Sequence, residues 1–387
     1  MARGDQDTVL PPRAAAPRLA MTWAIVIEIG VLGVVLLALA RQYLWAALLA
    51  ILIIGLAIPF KGHSAIGWLR RWVGYARRSP STKIPAELPS DLVPLAEWMP
   101  GLTVAQTSLG RGGELGLIAD GEAWTAVLAL ASDDELLADK GEAIDLDALS
   151  GLTRQDDIIF AGVQIVTYTV PAPTTILLGQ DSIAAAAYRE ITSEAPPPTM
   201  RRTWLCLRLD PRLCLEAVAR RGASNEGVYA TLRFGLHRVQ TVLKRQGIVT
   251  RALAPMELYE VLSLVAGSGP ENGERRSVED WTTWTCDGLV HTGRMIRRWG
   301  TNASIGYQLV QDAIADAPVL FAVTSYTFTP HARSTGGLRL VTIDAAGAQA
   351  AMDHTVERLG TSVRLDSPAG AQVPTMLATV PLGRGGR

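Results

Sequence analysis

The sequence predicts an α/β domain with a mixed sheet that follows two transmembrane α-helices. Three observations support this fold class. Two long apolar runs lie near the start, a Pro-rich stretch covers residues 85–101, and strand and helix signals alternate over residues 102–387. A chain of 387 residues leaves room after the apolar runs for one broad sheet or two smaller lobes.

The apolar runs extend from Met21 to Ala40 and from Leu44 to Phe60. Each approaches the about 20 residues that a helix needs to cross the hydrocarbon core of a bilayer. Only the residues Arg41-Gln42-Tyr43 separate the runs, so we expect a tight transmembrane hairpin over residues 21–60, with helices at 21–40 and 44–60.

A competing interpretation takes the first run as a cleaved signal peptide. Ala38-Leu39-Ala40 has the small-x-small form of a cleavage site. However, the run is longer than the usual apolar core of about 7 to 15 residues, and a second run follows at once. Two spans are therefore favoured.

Basic residues flank this hairpin. The segment from Lys61 to Lys83 carries six Lys and Arg residues and no Asp or Glu, whereas the turn between the runs has Arg41 alone. The positive-inside rule then predicts a cytoplasmic tail over residues 1–20 and both termini in the cytoplasm. The protein is expected to be a two-pass protein of the cell inner (plasma) membrane.

Glu28 lies inside the first predicted span, where an ionisable group is costly and usually faces a partner. Two interpretations stay open: its carboxyl accepts a hydrogen bond from a helix of another subunit, or it is protonated and faces its own hairpin mate. Gly30 and Gly33 are further candidate contacts, because helices in lipid associate through close packing at small residues.

Residues 61–84 predict a basic amphipathic segment next to the membrane. Such a helix places aromatic rings in the headgroup layer and cationic groups near lipid phosphates. The alternative is that it continues into the cytoplasm and packs on a partner. Its candidate contact residues are Trp68, Arg70, Arg71, Trp72, Arg77 and Arg78.

The next segment, residues 85–101, reads as a Pro-rich linker. Pro85, Pro89, Pro94 and Pro100 each lack a backbone donor and push the preceding residue towards extended conformations. We therefore expect a spacer between the membrane portion and the domain at residues 102–387.

Composition excludes some function classes. The net charge is −1 and the isoelectric point is about 6.5, so the basic character is local and argues against a nucleic-acid binder. Cys206, Cys214 and Cys286 form an odd set without metal-ligand spacing. They are expected to be reduced, mostly buried thiols in a cytoplasmic domain.

The domain at 102–387 repeats one order of elements, namely hairpin, helix, strand, strand, helix and strand. We expect a duplicated unit with halves at 102–270 and 271–387. The predicted strands are 114–119, 124–131, 158–170, 203–209, 248–251, 319–329, 338–343 and 362–365, with a further hairpin over 281–299. The predicted helices are 181–191, 212–221, 225–246, 254–265, 303–315 and 347–359.

Signals for catalysis are weak. Gly110-Arg111-Gly112-Gly113 resembles a phosphate loop but leads into a strand, which favours a simple turn. Asp145 and Asp147 have the spacing of paired metal ligands, yet they open a predicted helix, where capping explains them. The five histidines show no paired ligand spacing. We predict no catalytic, cofactor-binding or metal-binding residue.

Basic and aromatic clusters instead indicate contacts with other proteins. One cluster surrounds Arg233 on the helix at 225–246, which also carries Arg238 and Arg245. Another combines Arg294, Arg297, Arg298 and Trp299, residue types that are enriched where interfaces are strongest.

Over essentially its whole length the chain resembles the EccE family, a membrane component of the actinobacterial type VII (ESX) secretion machine. The resemblance is carried by the two N-terminal spans, the basic Trp and Arg stretch, the strand Trp204-Leu205-Cys206-Leu207-Arg208-Leu209-Asp210-Pro211, the helix with Arg233, and the hairpin with Trp281 and Trp284.

This resemblance implies a non-enzymatic subunit that steadies an inner-membrane complex with EccB, EccC and EccD, in which the ATPase EccC drives transport. It also admits contact with the mycosin protease and with the lipid bilayer, and it implies no cofactor. Two alternatives stay open: a membrane-anchored enzyme that acts on a nucleotide-linked substrate, and a monomeric sensor of the lipid surface.

Overall fold

The computed structural model describes residues 18–57, 65–85, 87–110, 113–131, 145–171, 199–222, 224–269, 276–330 and 334–385, with residues 182, 183, 186, 187 and 190. The chain divides into two compact units, residues 1–70 and 71–387. The division falls inside one helix, so the second unit begins with the last turns of that helix.

The described helices occur in both units. They are α1 (Arg18–Leu39), α2 (Tyr43–Ala57), α3 (Ala65–Arg77), α4 (Val93–Ala96), α5 (Leu146–Ser150), α6 (Leu215–Arg221), α7 (Ser224–Arg245), α8 (Pro255–Ala266), α9 (Ala303–Ala315), α10 (Ala345–Leu359) and α11 (Gln372–Thr379).

The described strands all belong to the second unit. They are β1 (Thr103–Gly110), β2 (Gly113–Ala119), β3 (Trp124–Ala131), β4 (Arg154–Gln155), β5 (Ile158–Ile159), β6 (Gly162–Pro171), β7 (Thr199–Leu209), β8 (Val249–Ala252), β9 (Ser277–Glu279), β10 (Trp284–Cys286), β11 (Leu289–Arg298), β12 (Phe321–Phe328), β13 (Thr335–Thr342) and β14 (Arg364–Leu365).

The first unit contains α1 and α2. The side chains are described from Glu28 in α1 and as far as Ile51 in α2, so the start of the first predicted span and the end of the second lie outside these residues. Within the described part of the chain, no helix is both long enough and apolar enough to cross a membrane. The two helices approach closely at Gly33, where a Cβ would lie 3.2 Å from Leu49 Cδ2.

One sheet organises the second unit. Ten strands follow the order β1-β2-β3-β7-β6-β12-β13-β11-β10-β9, while β8 pairs with β3 and β14 pairs with β11. Every ladder between the described strands is antiparallel. The prediction of a mixed sheet is therefore wrong. A strand that follows a helix does not pair with the parallel strand before that helix. An antiparallel strand lies between the two, as β7 does between β3 and β6.

Each half of this sheet has the βαββαβ arrangement called ferredoxin-like. In the first half β3, α5, β6, β7, α7 and β8 follow in sequence, and the strands lie in the spatial order β8-β3-β7-β6. In the second half β11, α9, β12, β13, α10 and β14 follow in sequence with the order β14-β11-β13-β12. The two halves join where β6 pairs with β12, for example at Val166 opposite Ser325.

Side chains alternate between the two faces of the sheet and build one core on each. On β7, Leu205, Leu207 and Leu209 face the first core, whereas Trp204 and Cys206 face the second. Helices α5, α6, α7, α9 and α10 cover the first face, and α4, α8 and α11 cover the second. The central strands are thus buried on both sides.

Local signals set most of the element ends. Asn302 Oδ1 accepts the N–H of Ile305 at the start of α9 at 3.0 Å, and Asp344 Oδ1 accepts the N–H of Gly347 at the start of α10 at 2.6 Å. After α7, Gly247 has a φ of +81°, a conformation that suits glycine. These ends agree with the predicted helices.

Some elements differ from the prediction. The predicted strand 158–170 is two strands: β5 pairs with β4 in a separate two-stranded sheet, and β6 joins the large sheet after Phe160 and Ala161. Strand β1 and helix α11 were not predicted. The predicted helix at 181–191 lies largely outside the described residues, as do Arg111 and Gly112.

The C-terminal residues cross the first half of the sheet. Arg384 Nε donates to Asp120 Oδ2 at 2.7 Å, and the buried Arg208 forms an ion pair with the same carboxylate. Burial would raise the pKa of Asp120, but the hydrogen bond from Arg208 and the charges of Arg208 and Arg384 lower it below its usual value. Gly383 N–H donates to Gln164 Oε1 at 2.8 Å, which fixes the tail on β6.

A buried arginine joins the two helices that follow the ferredoxin-like halves. Arg339 on β13 donates to the Val265 carbonyl near the end of α8 and to Thr379 Oγ1 at the end of α11, the latter at 2.9 Å. Its Nη1 lies 2.8 Å from His291 Nδ1. Burial lowers the pKa of Arg339 to about 10, and burial together with this cation lowers the pKa of His291. Helix C-termini favour a cation, which explains a charge placed here.

The packing of Trp299 supplies a test of the core. A Cβ at Gly336 would lie 2.2 Å from Trp299 Cζ2 and 2.6 Å from the Ser325 carbonyl oxygen. We predict that Gly336→Ala lowers the free energy of unfolding by about 1–3 kcal/mol, because a packed interior cannot take the extra methyl group. Urea unfolding followed by tryptophan fluorescence measures this change.

Gly151→Ala is the matched control, since a Cβ there meets no atom within 4 Å and the backbone φ is −63°. Its stability should stay equal or rise by up to about 1 kcal/mol. Equal stability of the two variants would contradict the packing described for Trp299.

Candidate functional site

The last turns of α3 dock on the second half of the sheet. Arg71, Tyr75 and Arg78 are spaced four and three residues apart, so they share one face of the helix and its C-terminal end. The Tyr75 ring meets the Trp281 ring edge to face, with centroids 5.2 Å apart and an interplanar angle of 87°. One face of α3 is therefore part of the domain.

Arg78 makes the most extensive of these contacts. Its Nε donates to Glu279 Oε2 at 2.8 Å and its Nη2 to Glu279 Oε1 at 3.0 Å, while the same Nη2 reaches the Gly370 carbonyl at 2.6 Å. Glu279 is buried and also accepts the N–H of Val373 at 2.9 Å, in the first turn of α11. A single carboxylate thus connects α3, β9 and α11.

Asp366 forms the second attachment. Arg71 forms an ion pair with it and donates from Nη1 to the Ser367 carbonyl at 2.9 Å. Arg297 of β11 reaches the other oxygen of the same carboxylate at 2.9 Å. Asp366 therefore connects α3 to β11.

The other side of α3 is exposed. The Trp72 side chain is 58% exposed, and Arg77 is exposed next to it. Leu69 and Arg70 are also exposed, whereas Trp68 is half-buried. Of the residues predicted to face lipid or a partner, Arg71 and Arg78 contact the domain, at the half-buried Asp366 and the buried Glu279.

The second half of the predicted linker is packed on the domain as well. Residues Leu92, Leu95 and Met99 are buried, and residues 90–96 form a short 3-10 helix followed by α4. The Glu97 carboxylate accepts the N–H groups of Arg276 and Ser277, both at 3.0 Å. The segment is thus not a free spacer over these residues.

A buried ion pair closes this attachment. Arg276 pairs with Asp287 in the turn between β10 and β11, and its Nη1 donates to the Ser90 carbonyl at 2.6 Å. The hydrogen bond with Asp287 raises the pKa of Arg276 against the opposing effect of burial. Ser90 and Glu97 of the Pro-rich segment are therefore held by Arg276 and Ser277 at the start of β9.

Arg233 lies at the edge of the first half rather than on a free surface. Its Nη1 donates to Thr107 Oγ1 at 2.7 Å and to the Ser108 carbonyl at 3.1 Å, and its Nη2 reaches Glu226 at 2.9 Å. These contacts tie α7 to the edge strand β1. The residue has a structural role that its place in a basic cluster did not reveal.

The residues of the second predicted cluster, around Arg294 and Trp299, differ in their exposure. Arg297 and Arg298 are exposed at the end of β11, and Arg294 is half-buried. Burial lowers the pKa of Arg294, although the charges of Asp353 and Asp366 oppose this. Trp299 is buried against Tyr307 and Tyr326, so it belongs to the core. Only the arginines of this cluster reach the surface.

The candidate contacts in the first unit occupy different environments. Glu28 is exposed, Gly30 and Gly33 are partly covered, and Gly33 lies at the contact between α1 and α2. The apolar side chains around them are exposed, including Leu32 at 58% and Leu36 at 57%.

The weak catalytic signals have structural explanations. Asp145 Oδ1 accepts the N–H groups of Asp147 and Ala148 at 3.0 and 3.2 Å, so it caps α5. Gly110 pairs with Gly113 across the turn between β1 and β2. No cluster of His, Cys, Asp and Glu that could hold a metal occurs among the described residues.

The cysteines also fit the prediction of buried, reduced thiols. Cys206, Cys214 and Cys286 are all free and buried. Burial raises the pKa of each of these thiols, that of Cys286 to about 12, which keeps them in the unreactive protonated form.

Sequence reasoning missed the acidic half of this site. Glu279 and Asp366 receive Arg78 and Arg71 from about 200 and 300 residues away in the chain. Each lies on or beside a short strand, and nothing in its local sequence separates it from a solvated carboxylate. Only the folded sheet brings the four charges together.

The Arg78 contact can be tested with its neighbour as control. We predict that Arg78→Met lowers the free energy of unfolding by about 1–3 kcal/mol, because Glu279 keeps its buried charge and loses two charge-assisted hydrogen bonds. Arg77→Met, on the exposed side of the same turn, should change it by less than about 0.5 kcal/mol. Thermal unfolding of the full chain in detergent measures both, and an equal effect of the two substitutions would contradict the docked geometry.

Comparison with known proteins agrees with the resemblance described above. The family described as "Putative type VII ESX secretion system translocon, EccE" matches residues 198–294, which run from β7 to β11. The chain is 30% identical over 172 residues to the ESX-5 secretion system protein EccE5 of Mycobacterium marinum, an alignment that covers 43% of this chain and 39% of the relative.

It is also 26% identical over 206 residues to the ESX-1 secretion system protein EccE1 of Mycobacterium tuberculosis, which covers 51% of this chain and 40% of the relative. The aligned part thus spans about two fifths of the length of these relatives. The matched region includes Arg208, Arg233, Arg276 and Glu279, which contact the tail, β1, the Pro-rich segment and the end of α3, respectively. Over residues 198–294 the chain is therefore similar to the EccE family of type VII ESX secretion system proteins, and EccE5 and EccE1 are among its relatives.

Proposed function

We propose that this chain is a two-pass subunit of the inner membrane that steadies an ESX membrane complex with EccB, EccC and EccD, without enzymatic activity of its own. In this proposal residues 1–20 form a cytoplasmic tail, residues 21–60 the membrane hairpin, and residues 102–387 a cytoplasmic platform. The mycosin protease is a further contact of the same complex. The match to the EccE family over residues 198–294 and the docked end of α3 support the proposal.

The observation that carries it is the attachment of α3 to the domain. Here Arg71, Tyr75 and Arg78 hold the end of the basic helix on β9, β11 and α11. The end of this helix is thus a fixed part of the domain, which suits a subunit that holds its neighbours in one arrangement.

The exposed side of α3 suits an anionic membrane surface. Trp72 places an aromatic ring outward, and the exposed Arg70 and Arg77 lie on the same helix. Aromatic rings and arginines of this kind lie in the headgroup layer. In this account residues 61–84 act with the hairpin as the membrane-binding part of the subunit.

The exposed arginines at the end of β11 are the proposed protein contacts on this side. Arg298 is exposed, whereas Arg297 also supports Asp366. We predict that Arg298→Glu lowers the co-purification of EccB, EccC and EccD with the full-length chain about 3- to 10-fold in mild detergent, since reversed interface charges are strongly disfavoured.

Arg358→Glu, an exposed arginine of α10 that pairs with Asp316, serves as the matched control and should retain full co-purification. Native electrophoresis of complexes from co-expressing cells measures both variants. A wild-type chain that purifies alone would contradict the proposed function.

A further inference from the structure

The face of α7 opposite the core carries an aromatic ring held by arginines. Phe234 is 43% exposed, although its neighbour Gly235 is buried. The guanidinium carbon of Arg221 lies 4.8 Å from the centroid of the ring and that of Arg238 lies 5.1 Å from it. Both cations lie over the ring, which is the geometry of a cation–π contact.

A close approach of two elements fixes this arrangement. A Cβ at Gly235 would lie 2.4 Å from Phe160 Cζ, so only glycine lets α7 lie this near the end of β5. The approach brings the turn between β4 and β5 beside the helix. Asp156 in this turn has a φ of +50° and pairs with Arg238 at 2.5 Å.

Asp157, the next residue of the turn, holds the other cations. Its carboxylate accepts Arg221 at 2.8 and 3.1 Å and Arg220 at 2.8 Å. The hydrogen bond from Arg221 lowers the pKa of Asp157, so the carboxylate stays charged. The ring and three arginines are therefore ordered before any partner binds, which reduces the entropy that binding must overcome.

The surrounding charge favours an acidic partner. Between Glu226 and Glu257 the sequence has no Asp or Glu, while the exposed end of α7 carries His237, Lys244 and Arg245. An exposed aromatic residue with arginines around it is the composition of an interface hot spot. None of the contacts of this face serves the attachment of α3, which lies on the other half of the sheet.

We propose that Phe234, Arg221 and Arg238 form a docking site for an acidic segment of another subunit of the same complex. The apolar part of that segment covers the Phe234 ring, and its carboxylates meet the arginines and Lys244. A membrane surface fits less well, because Asp156 and Asp157 at the rim would be repelled by anionic lipid. This inference rests on the proposed function, since it takes the partner from the same assembly.

A photo-cross-linking amino acid at position 234 tests the site in the full chain, co-expressed with EccB, EccC and EccD in intact membranes. The matched position is 305, because Ile305 of α9 is exposed to 62% outside the basic face. We expect adducts with one of the three subunits from position 234 and not from position 305. Adducts mainly with lipid would overturn the proposal in favour of a membrane contact.

Two substitutions give an independent measurement. Phe234→Ala and Arg238→Glu should each lower recovery of the cross-linked subunit about tenfold. The association of the wild-type chain with that subunit should weaken as the salt concentration rises. Ile305→Ala and Arg358→Glu should leave it within about twofold of wild type. Unchanged recovery for Phe234→Ala and Arg238→Glu in an assembled complex would overturn this site and leave the proposed function intact. A wild-type chain that forms no complex would overturn both.

Discussion

The pairing of β6 with β12 is the contact on which the rest of the domain depends. It joins the second strands of two ferredoxin-like halves, over a ladder from Val163 opposite Phe328 to Thr169 opposite Ala322. Without it each half would expose a hydrophobic edge strand, which is unfavourable in water. With it the sheet becomes long enough to carry separate attachments at its two ends and a helical layer on each face.

Charges then lock the additional segments onto this sheet. At the first half, Arg384 and Arg208 meet Asp120, and at the second half, Arg78 meets Glu279. In each place a segment outside the ferredoxin-like unit supplies an arginine, Arg384 from the tail and Arg78 from the end of α3. Because a buried carboxylate without its cation is strongly destabilising, these pairs fix where the tail and α3 lie. The architecture therefore assigns the tail to one half and the basic helix to the other.

Most of this fold could be predicted from sequence. Turn signals such as Asp120-Gly121 and helix ends such as Gly247 act locally, and the structure agrees with both. The repeated order of elements also followed from periodicity. The antiparallel pairing did not, since strand neighbours depend on contacts far apart in sequence. The same limit explains why Arg233 and Trp299, which look like surface residues in their clusters, prove to hold β1 and to fill the core.

Hydrogen exchange of the α3 backbone tests the central claim that the end of this basic helix is a fixed part of the domain. Mass spectrometry measures the deuterium uptake of the full chain in detergent. The uptake of peptides from residues 71–78 is compared with that of peptides from β9 and β10. If Arg71, Tyr75 and Arg78 hold the helix as described, its amides will exchange as slowly as those of the neighbouring strands. Exchange of residues 71–78 at the rate of an isolated helix, with the strands still protected, would contradict this account.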